Sequence, residues 1–258
     1  MSFMGSADKL YTDGEAYEHP YPRPLSGGKV EHLPSALLPA RTALIGRYVT
    51  LEPLDAARHA SDLFEASHGS KAALRIWDYL PWGPWKSEAE FANVLRQQTA
   101  GQDRIYYTIR REAEEKACGQ ICFLDIQPEQ GVIEIGGIWF GLTLRRTRSA
   151  TESIYLMLRY AMDDLGYRRM QWRCNALNAA SRAAARRLGF RFEGIFYNHM
   201  IFKGRNRDTA WYSILDDEWP EVRKIMERWL APSNFDQDGM AKTSLAALME
   251  NRGPSRRV

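Results

Sequence analysis

Residues 132–166 restrict the fold more than any other stretch of the sequence. Residues 132–140 are apolar and predict a strand, an arginine-rich loop follows, and then comes a long helix. The apolar residues of the helix recur at the spacing of one helical face: Ile154, Met157, Leu158, Ala161 and Leu165. This order predicts a strand–loop–helix corner in which the free N–H groups of the helix start point outward.

The polar residues at this helix start predict a site for a polyanion. Thr147, Ser149 and Thr151 suit a helix N-terminus, and Glu152 stands three residues after Ser149, which indicates a capping box. The loop also contains Arg145, Arg146 and Arg148. Exposed amides, the positive end of a helix dipole and guanidinium groups together favour a phosphate chain. The alternative is an ordinary junction with solvated arginines.

The composition favours one large domain without nucleic acid as its partner. The chain has 258 residues, and 45% of them are hydrophobic, which allows a sizeable core. The net charge of +3 is too small to indicate nucleic acid by itself. The basic residues form local clusters, which suit a phosphorylated small molecule better than a duplex: Arg145, Arg146 and Arg148; Arg182, Arg186 and Arg187; Lys203, Arg205 and Arg207.

The cysteines and the lengths of the apolar runs indicate where in the cell the protein is located. Cys118, Cys122 and Cys174 form no C-x-x-C pair, so neither a disulfide framework nor a metal site is predicted. No apolar run approaches the roughly 20 residues of a membrane span. The N-terminus has no apolar signal segment. We therefore expect a soluble, cytoplasmic protein without a membrane contact.

The remaining patterns predict an α/β domain with helices on both faces of a sheet of six or seven strands. The predicted strands are 48–54, 104–111, 119–126, 132–140, 170–176, 191–202 and 209–215, and the predicted helices include 57–67, 87–99, 178–188 and 219–230. The strands at 132–140 and 170–176 are expected to be parallel because a helix connects them. We predict an N-terminal extension over 1–45, the domain over 46–231, and a C-terminal tail with a short helix over 232–258. The two terminal segments are candidates for self-association.

Four aromatic rings crowd residues 77–85, WDYLPWGPW, where proline and glycine separate them: Trp77, Tyr79, Trp82 and Trp85. Such rings either plug a loop into the core or form the wall of a pocket, and the residues alone leave both interpretations open.

The element order and five stretches of this chain resemble the GNAT N-acetyltransferase superfamily, in particular its RimL-like branch. The stretches are WDYLPWGPW (77–85), IEIGGIWF (133–140), RRTRSATES (145–153), NALNAASRAAARRLGFRFEG (175–194) and KGRNRDTAWYSILDDEWP (203–220). With the element order, the resemblance covers residues 47–229. It implies a mixed, mostly antiparallel twisted sheet that contains a splayed pair of parallel strands.

The resemblance also implies that acetyl-CoA lies between the splayed strands 133–140 and 170–176, where its pantetheine arm pairs with free backbone groups. Its pyrophosphate would lie on residues 145–151, whose family signature is Q/R-x-x-G-x-G/A. Arg145 and Ala150 fit this signature, whereas Arg148 stands at a glycine position. The implied contacts are Ile138, Trp139, Phe140, Arg145, Arg146, Thr147, Arg148, Ser149, Ala150, Thr151, Asn178, Ser181 and Arg187.

A second family motif, N-x-x-S-x-x-x-Y-x-K-x-G-F, aligns with Asn178, Ser181, Ala185, Arg187 and 189–190. Asn178 resembles the side chain that binds pantetheine, and Arg187 takes the lysine position. Ala185 replaces the tyrosine that protonates the departing thiolate, and RimL-like enzymes use the serine instead, here Ser181. From the residues alone, Asn178 and Ser181 are equally well explained as helix caps.

The activity implied by the resemblance is direct transfer of an acetyl group from acetyl-CoA to a primary amine. Glu134 is the expected general base, with a solvated strand carboxylate as the alternative, and Tyr107, Tyr197 and His199 stand in reserve. Backbone N–H groups of residues 138–140 would polarise the thioester carbonyl. The acceptor side is expected to include Trp77, Tyr79, Trp82, Trp85, Tyr107 and His199.

The residues leave the acceptor open among a protein N-terminus, an amino sugar, an aminoacyl nucleotide and a xenobiotic amine. Two other functions compete with catalysis. The substitutions Arg148 and Ala185 keep open a module of the same fold that senses acyl-CoA without turnover. The basic clusters keep open a nucleic-acid-binding protein, whose binding would depend steeply on salt.

Overall fold

A computed structural model describes residues 36–112, 114 and 116–253, which include one eight-stranded sheet in the order β1-β2-β3-β4-β5-β6-β8-β7. The strands are β1 (Leu44–Ile45), β2 (Val49–Pro53), β3 (Ile105–Arg111), β4 (Ala117–Gln127), β5 (Val132–Phe140), β6 (Arg169–Asn175), β7 (Arg191–Phe202) and β8 (Arg205–Leu215). The helices are α1 (Ala56–His68), α2 (Lys71–Leu74), α3 (Glu88–Ala100), α4 (Arg148–Arg159), α5 (Ala179–Arg187), α6 (Trp219–Leu230) and α7 (Leu245–Glu250). A 3-10 turn, Arg75–Asp78, follows α2, and a π-helical turn, Tyr160–Asp164, extends α4.

β5 and β6 form the parallel pair of this sheet, and the other neighbouring strands of the described sheet are antiparallel. Their register runs from Val132↔Arg169 to Glu134↔Gln171 and then stops. β6 continues to pair with β8 on its other side along its whole length. The predicted mixed sheet with a splayed parallel pair is therefore confirmed.

Two hydrophobic clusters cover the two faces of the sheet. Tyr106 and Cys122 belong to one cluster, whereas Tyr107 and Phe123 belong to the other, as expected for successive residues of a strand. The first cluster includes apolar residues of α1 and α3, and the second includes those of α4, α5, α6 and α7. Helices thus cover both faces, as predicted.

The predicted face of α4 is buried in full, including Ile154, Met157 and Leu158. Asp55 and Ser87 cap α1 and α3 through side-chain oxygens that accept hydrogen bonds from N–H groups of the first turn. The prediction missed the two-residue β1 and the helical segment 71–78, which begins where the Ser70 side chain accepts from the N–H of Ala73. That segment leads directly into the aromatic stretch.

The predicted C-terminal tail contains a short helix, α7, and its described residues pack onto the domain. Phe235, Leu245 and Met249 are buried in the same cluster as α6, and the Nε1 of Trp229 donates to the carbonyl oxygen of Thr243 at 2.9 Å. The segment after residue 231 therefore packs onto the domain. Residues 1–35 of the predicted N-terminal extension lie outside the described part of the chain, and the domain boundaries stay predictions.

Among the helices of the described ranges, none has both the length and the apolar character required to cross a bilayer.

Candidate active site

A cavity of about 320 Å³ opens where β5 and β6 separate. Its lining comes from these two strands, the segment around residues 76–82, the start of α5, and β7 and β8. Seven residues that the sequence singled out line it: Tyr79, Trp82, Glu134, Ile138, Asn178, Ser181 and His199. The structure thus brings the two predicted catalytic residues, Glu134 and Ser181, to one cavity.

The edge of β5 that faces this cavity has no strand partner beyond Glu134 within the described sheet. Gly137, whose φ is +57°, forms part of an irregularity in the β4–β5 pairing. A Cβ there would lie 2.8 Å from the Sγ of Cys122, so only glycine fits. Trp139 is buried and its Nε1 donates to the Oε1 of Gln120, so this residue can offer only its backbone to a ligand.

The start of α4 is capped by Thr147, not by the predicted Ser149–Glu152 box. The Oγ1 of Thr147 accepts from the N–H of Ala150 at 3.1 Å, which removes that N–H from the set expected to bind phosphate. The Glu152 carboxylate instead accepts from the N–H groups of Arg47 (3.0 Å) and Tyr48 (2.6 Å). The turn before β2 packs against the helix start and needs these acceptors.

Ser149 is engaged by the same turn, because its hydroxyl donates to the carbonyl oxygen of Tyr48 at 3.2 Å. Arg148 and Ser149 are the first two residues of α4. Their N–H groups have no helical turn before them whose carbonyl oxygens could accept a hydrogen bond. The first turn therefore offers backbone donors rather than the Ser149 side chain to an anion.

Arg148 does not fill the space in front of the helix start. Its Cζ lies 4.5 Å from the ring centroid of Tyr48 and 3.2 Å from that of Phe235, so the guanidinium is stacked between two rings. Its backbone is helical, and the left-handed conformation of the loop falls on Arg146 instead, with φ of +62°. The arginine at the glycine position therefore causes no backbone strain.

Arg187 is the arginine that faces the helix start from α5. Its Nη1 donates to the Oγ1 of Thr151 at 3.3 Å, and burial lowers the pKa of the guanidinium. No carboxylate of the described residues lies within 4.0 Å of it. A partly desolvated cation beside a helix N-terminus is suited to an anionic ligand. Arg145 and Arg146 are exposed, and the Nε of Arg145 donates to the carbonyl oxygen of Phe140.

Asn178 and Ser181 lie at the start of α5, on the cavity wall. The Oδ1 of Asn178 accepts from the N–H of Ser181 at 3.1 Å and caps the helix. The Nε1 of Trp172 donates to the Oγ of Ser181 at 3.1 Å, which leaves the hydroxyl proton of Ser181 for another acceptor. Burial raises the pKa of the neighbouring Cys174 thiol, and a hydrogen bond with Ser181 acts in the opposite direction.

Glu134 is buried at the point where β5 and β6 part. Burial raises the pKa of its carboxyl to about 7, although the guanidinium of Arg173 contacts it and acts in the opposite direction. Arg173 also contacts the carboxylate of Asp125 and lies over the ring of Trp211, with 4.8 Å from its Cζ to the ring centroid. A carboxyl with a pKa near 7 can exchange a proton at physiological pH.

His199 lies on β7 at the other side of the cavity. Its Nδ1 is 3.0 Å from the Oγ1 of Thr209, and burial lowers the pKa of the imidazole, with smaller contributions from Arg173 and Arg207. The ring is therefore neutral at physiological pH.

Three residues predicted on the acceptor side lie elsewhere. Trp77 is buried and makes an edge contact with Trp85, with ring centroids 4.9 Å apart. These two rings plug the loop into the core, whereas Tyr79 and Trp82 line the cavity. Tyr107 is buried in the cluster with α4, its hydroxyl donates to the carbonyl oxygen of Ala40, and burial raises its pKa. These three side chains point away from the cavity because of packing.

Sequence reasoning missed three charged residues of the cavity, Arg104, Asp125 and Arg173, and it placed Arg207 in a basic cluster without assigning it to this site. One signal was present, because Arg173 alternates with Trp172 and Cys174 on a predicted strand that was already assigned to the site. Among the described residues, no group of three or more His, Cys, Asp or Glu side chains could hold a metal ion.

Comparison with known proteins adds an independent observation. The family model described as "Acetyltransferase (GNAT) domain" matches residues 49–191. A curated relative from Bacillus subtilis (strain 168), named "Putative ribosomal N-acetyltransferase YdaF", is 24% identical over 184 residues, which span 69% of this chain and 97% of that protein.

Two crystal structures are more similar. A GCN5-related N-acetyltransferase from Brucella melitensis is 42% identical, with a TM-score of 0.83, and the match covers 86% of this chain and 100% of that chain. A probable acetyltransferase of the GNAT family from Chromobacterium violaceum is 40% identical, with a TM-score of 0.71, and the match covers 78% of this chain and 100% of that chain. With the splayed strands and the helix start described above, these matches show that the chain belongs to the GNAT acetyltransferase family.

Proposed function

We propose that this acetyltransferase moves an acetyl group from acetyl-CoA directly to a primary amine. The observation that carries the proposal is the gap between β5 and β6, which has an unpaired backbone edge on one side and, at its end, a helix start beside the half-buried cation Arg187. An extended molecule with two amides and a polyphosphate matches this order of features.

The residues present fit acetyl-CoA. Backbone groups of β5 beyond Glu134 would pair with the pantetheine arm, as an added strand does, and Asn178 lies across the gap. The N–H groups of Arg148 and Ser149, together with the guanidinium of Arg187, would hold the pyrophosphate. Arg148 contributes its backbone, since its side chain is stacked between two rings.

Glu134 is the proposed base. An amine is mostly protonated at pH 7, so a proton must leave it before it can attack the thioester. Since burial raises the pKa of Glu134 to about 7, the carboxylate is present above that pH and is lost as the pH falls below it. Arg173 keeps part of the Glu134 population ionised and fixes the carboxylate in place.

In the transfer, the amine nitrogen forms a bond with the acetyl carbon, and the bond between that carbon and the CoA sulfur breaks. Backbone N–H groups of residues 138–140 are the proposed donors to the carbonyl oxygen. Before the attack, one proton of the ammonium goes to Glu134, directly or through water. After the attack, the nitrogen releases a second proton to solvent, which leaves the neutral amide. The hydroxyl proton of Ser181, which Trp172 orients, goes to the departing thiolate and is replaced from solvent.

A thermal shift experiment tests the nucleotide half of the proposal. The intact protein is melted with acetyl-CoA, with CoA and with ATP. A ligand at about 100 Kd should add about 2.7 kcal/mol to the free energy of unfolding. Acetyl-CoA and CoA should stabilise the protein more than ATP, which lacks the pantetheine arm; equal stabilisation by all three would contradict the role of the β5 edge.

Release of CoA with a panel of primary amines tests the transfer. Amine-dependent release above the rate of acetyl-CoA hydrolysis supports an enzyme. Tight acetyl-CoA binding without amine-dependent release would instead identify the sensing module of the same fold.

Three finer expectations belong with this proposal: membership of the RimL-like branch, a cytoplasmic location and self-association. The cysteines of the described residues are buried and free, which suits a reducing compartment.

A further inference from the structure

The charges that line the 320 Å³ cavity do not balance. Three guanidinium groups and two carboxylates line it: Arg104, Arg173, Arg207, Asp125 and Glu134. Both carboxylates contact the same arginine, Arg173. Arg104 has its own neighbour, because its Nε lies 3.4 Å from the Oδ2 of Asp103. Arg207 is the cation left over.

Arg207 is half-buried and has no carboxylate within 4.0 Å in the part of the chain that the structure describes. Its Nε is fully buried and has no hydrogen-bond partner among those residues. Its Cζ lies 4.3 Å from the ring centroid of Phe202. Burial and the neighbouring Arg173 lower the pKa of its guanidinium. Cys174 and Glu134 act on this pKa in the opposite direction, with smaller effect. A partly desolvated cation without a carboxylate in direct contact is costly, and an anion that reaches it recovers part of this cost.

A second cavity, of about 480 Å³, shares Arg207 with the first and is strongly basic. Its lining contains one carboxylate, Asp78, and five cationic side chains: Lys71, Arg75, Lys203, Arg205 and Arg207. Tyr79, Leu80, Asn175 and Phe202 also line both cavities. Arg207 therefore stands at the border between the proposed reaction chamber and a basic chamber.

The volume of the first cavity suits a small acceptor, since ligand pockets measure about 300–1,000 Å³. An amine that reaches Glu134 in this chamber has Arg207 as a wall residue. An arginine binds carboxylate and phosphate groups through paired N–H donors, and so it selects for such groups.

We propose that the acceptor is a small primary amine that also bears an anionic group, a phosphate or a carboxylate, and that Arg207 binds this group. The inference rests on the proposed acetyl transfer and names the substrate class of the same site. Arg207 is here a specificity-determining residue: it binds the anion and takes no part in the proton transfers of Glu134 and Ser181.

The test compares matched amines with the intact protein, by CoA release at saturating acetyl-CoA. Phosphoethanolamine is compared with ethanolamine, glucosamine 6-phosphate with glucosamine, and leucine with leucinamide, so that the phosphate and carboxylate arms are separate. A charge-assisted hydrogen bond contributes about 1.5–3 kcal/mol, or about 10- to 100-fold in kcat/KM. We expect the anionic member of at least one pair to be preferred by this factor.

The variant Arg207→Met should reduce the preference to near unity. Because Arg207 also lowers the pKa of Glu134, kcat/KM for both members of a pair can change, and the ratio within the pair is the readout. The two amines of a pair differ in basicity, and comparing the same ratio between wild type and variant removes this difference. Arg205→Met is the matched control on the same strand, because Arg205 lines the second cavity and not the first. Arg207→Lys, which keeps the charge, should retain part of the preference and guards against a variant that does not fold.

Equal preference in wild type and Arg207→Met would overturn the proposal, as would a loss confined to Arg205→Met. Calorimetric titration with the same amines, in the presence of CoA, measures their binding without turnover. If no amine releases CoA, the proposed function fails, and the measured affinities for the amines still test the role of Arg207. Selective loss of affinity for the anionic amine in Arg207→Met supports it, and equal affinity for both members contradicts it.

Discussion

The proposed nucleotide half and the proposed acceptor half of the site consist of different chemical groups. The nucleotide half consists mainly of backbone: the unpaired edge of β5 and the first N–H groups of α4, together with the half-buried Arg187. The acceptor half consists of side chains, in which Arg173 joins Glu134 to Asp125 and Arg207 stands without a carboxylate.

This difference separates what the fold supplies from what the individual residues supply. A backbone edge and a helix start form wherever two strands splay and a helix follows the first of them. The nucleotide half is therefore expected to tolerate many amino-acid substitutions. A network of buried charges depends on each member, because the loss of one leaves another unpaired. Substitutions in the acceptor half should therefore change turnover, and substitutions in the nucleotide half should change affinity for acetyl-CoA.

The largest effect is expected for Glu134→Gln, which removes the proposed base. We expect kcat to fall by about 10²-fold or more, the range for one general base. In the wild type, kcat should fall as the pH drops through about 7, because the carboxylate becomes protonated there, and the variant should lose this limb. The measurement is kcat against pH at saturating acetyl-CoA.

Asp125→Asn is the matched control for Glu134→Gln, since Asp125 contacts the same arginine. Its φ of +46° is one that asparagine accepts readily. This control should keep the limb and move it to lower pH, because the charge of Asp125 raises the pKa of Glu134. If Glu134→Gln retains the limb as well, another group is the base.

A smaller effect is expected for Arg187→Met, on affinity rather than on turnover. The loss of a charge-assisted contact to phosphate should raise KM for acetyl-CoA by about 10- to 100-fold, with kcat within a few-fold of the wild type. The free variant should be no less stable, because burial already penalises this charge. Arg186→Met, an exposed neighbour on α5, is the control. Equal KM values for the two variants would remove Arg187 from the phosphate site.

For Ser181→Ala we expect kcat to fall by about 10-fold and in any case by less than 10²-fold, the low end for one proton-transfer group. CoA thiolate is already a tolerable leaving group, and so the proton from Ser181 assists rather than controls the step. Ser181→Thr, which keeps the hydroxyl, should recover most of the rate. Complete loss of activity with intact CoA binding would show a larger role than proton donation.

The smallest effect is expected for Arg148→Met, although Arg148 and Arg187 belong to the same corner. Its guanidinium is stacked between Tyr48 and Phe235, so its removal should leave KM for acetyl-CoA within about 3-fold. The free energy of unfolding should fall by about 1 kcal/mol, the usual size of a cation–π contact. Chemical denaturation and acetyl-CoA kinetics measure the two quantities. A KM increase as large as that of Arg187→Met would refute the contrast between the two arginines.

Much of the fold could be predicted because its signals are local. The predicted bounds of the strand 191–202 and of the helix 219–230 agree with β7 and α6. The parallel relation of β5 and β6 followed from the helix between them. The caps at Asp55 and Ser87 are likewise decided within a few residues.

The site was predictable only in part, because its contacts join distant segments. Trp77 and Tyr79 are two residues apart, and the 3-10 turn sends one into the core and the other to the cavity wall. The contact of Arg173 with Glu134 depends on where the strand register stops. The stacking of Arg148 on Phe235 depends on how the C-terminal segment packs. No local pattern specifies these contacts.

The strand order β6-β8-β7 has a consequence for the synthesis of this protein. β8 is the last strand along the chain, yet it lies between β6 and β7 and pairs with β6 over its whole length. A nascent chain that has emerged only to residue 204 therefore leaves β6 without the partner that aligns it, and it also lacks Arg207 and Thr209. Nearly the entire domain must leave the ribosome before β7 and β8 can complete the lining of the cavity. An incomplete chain therefore lacks the proposed acetyl-transfer site.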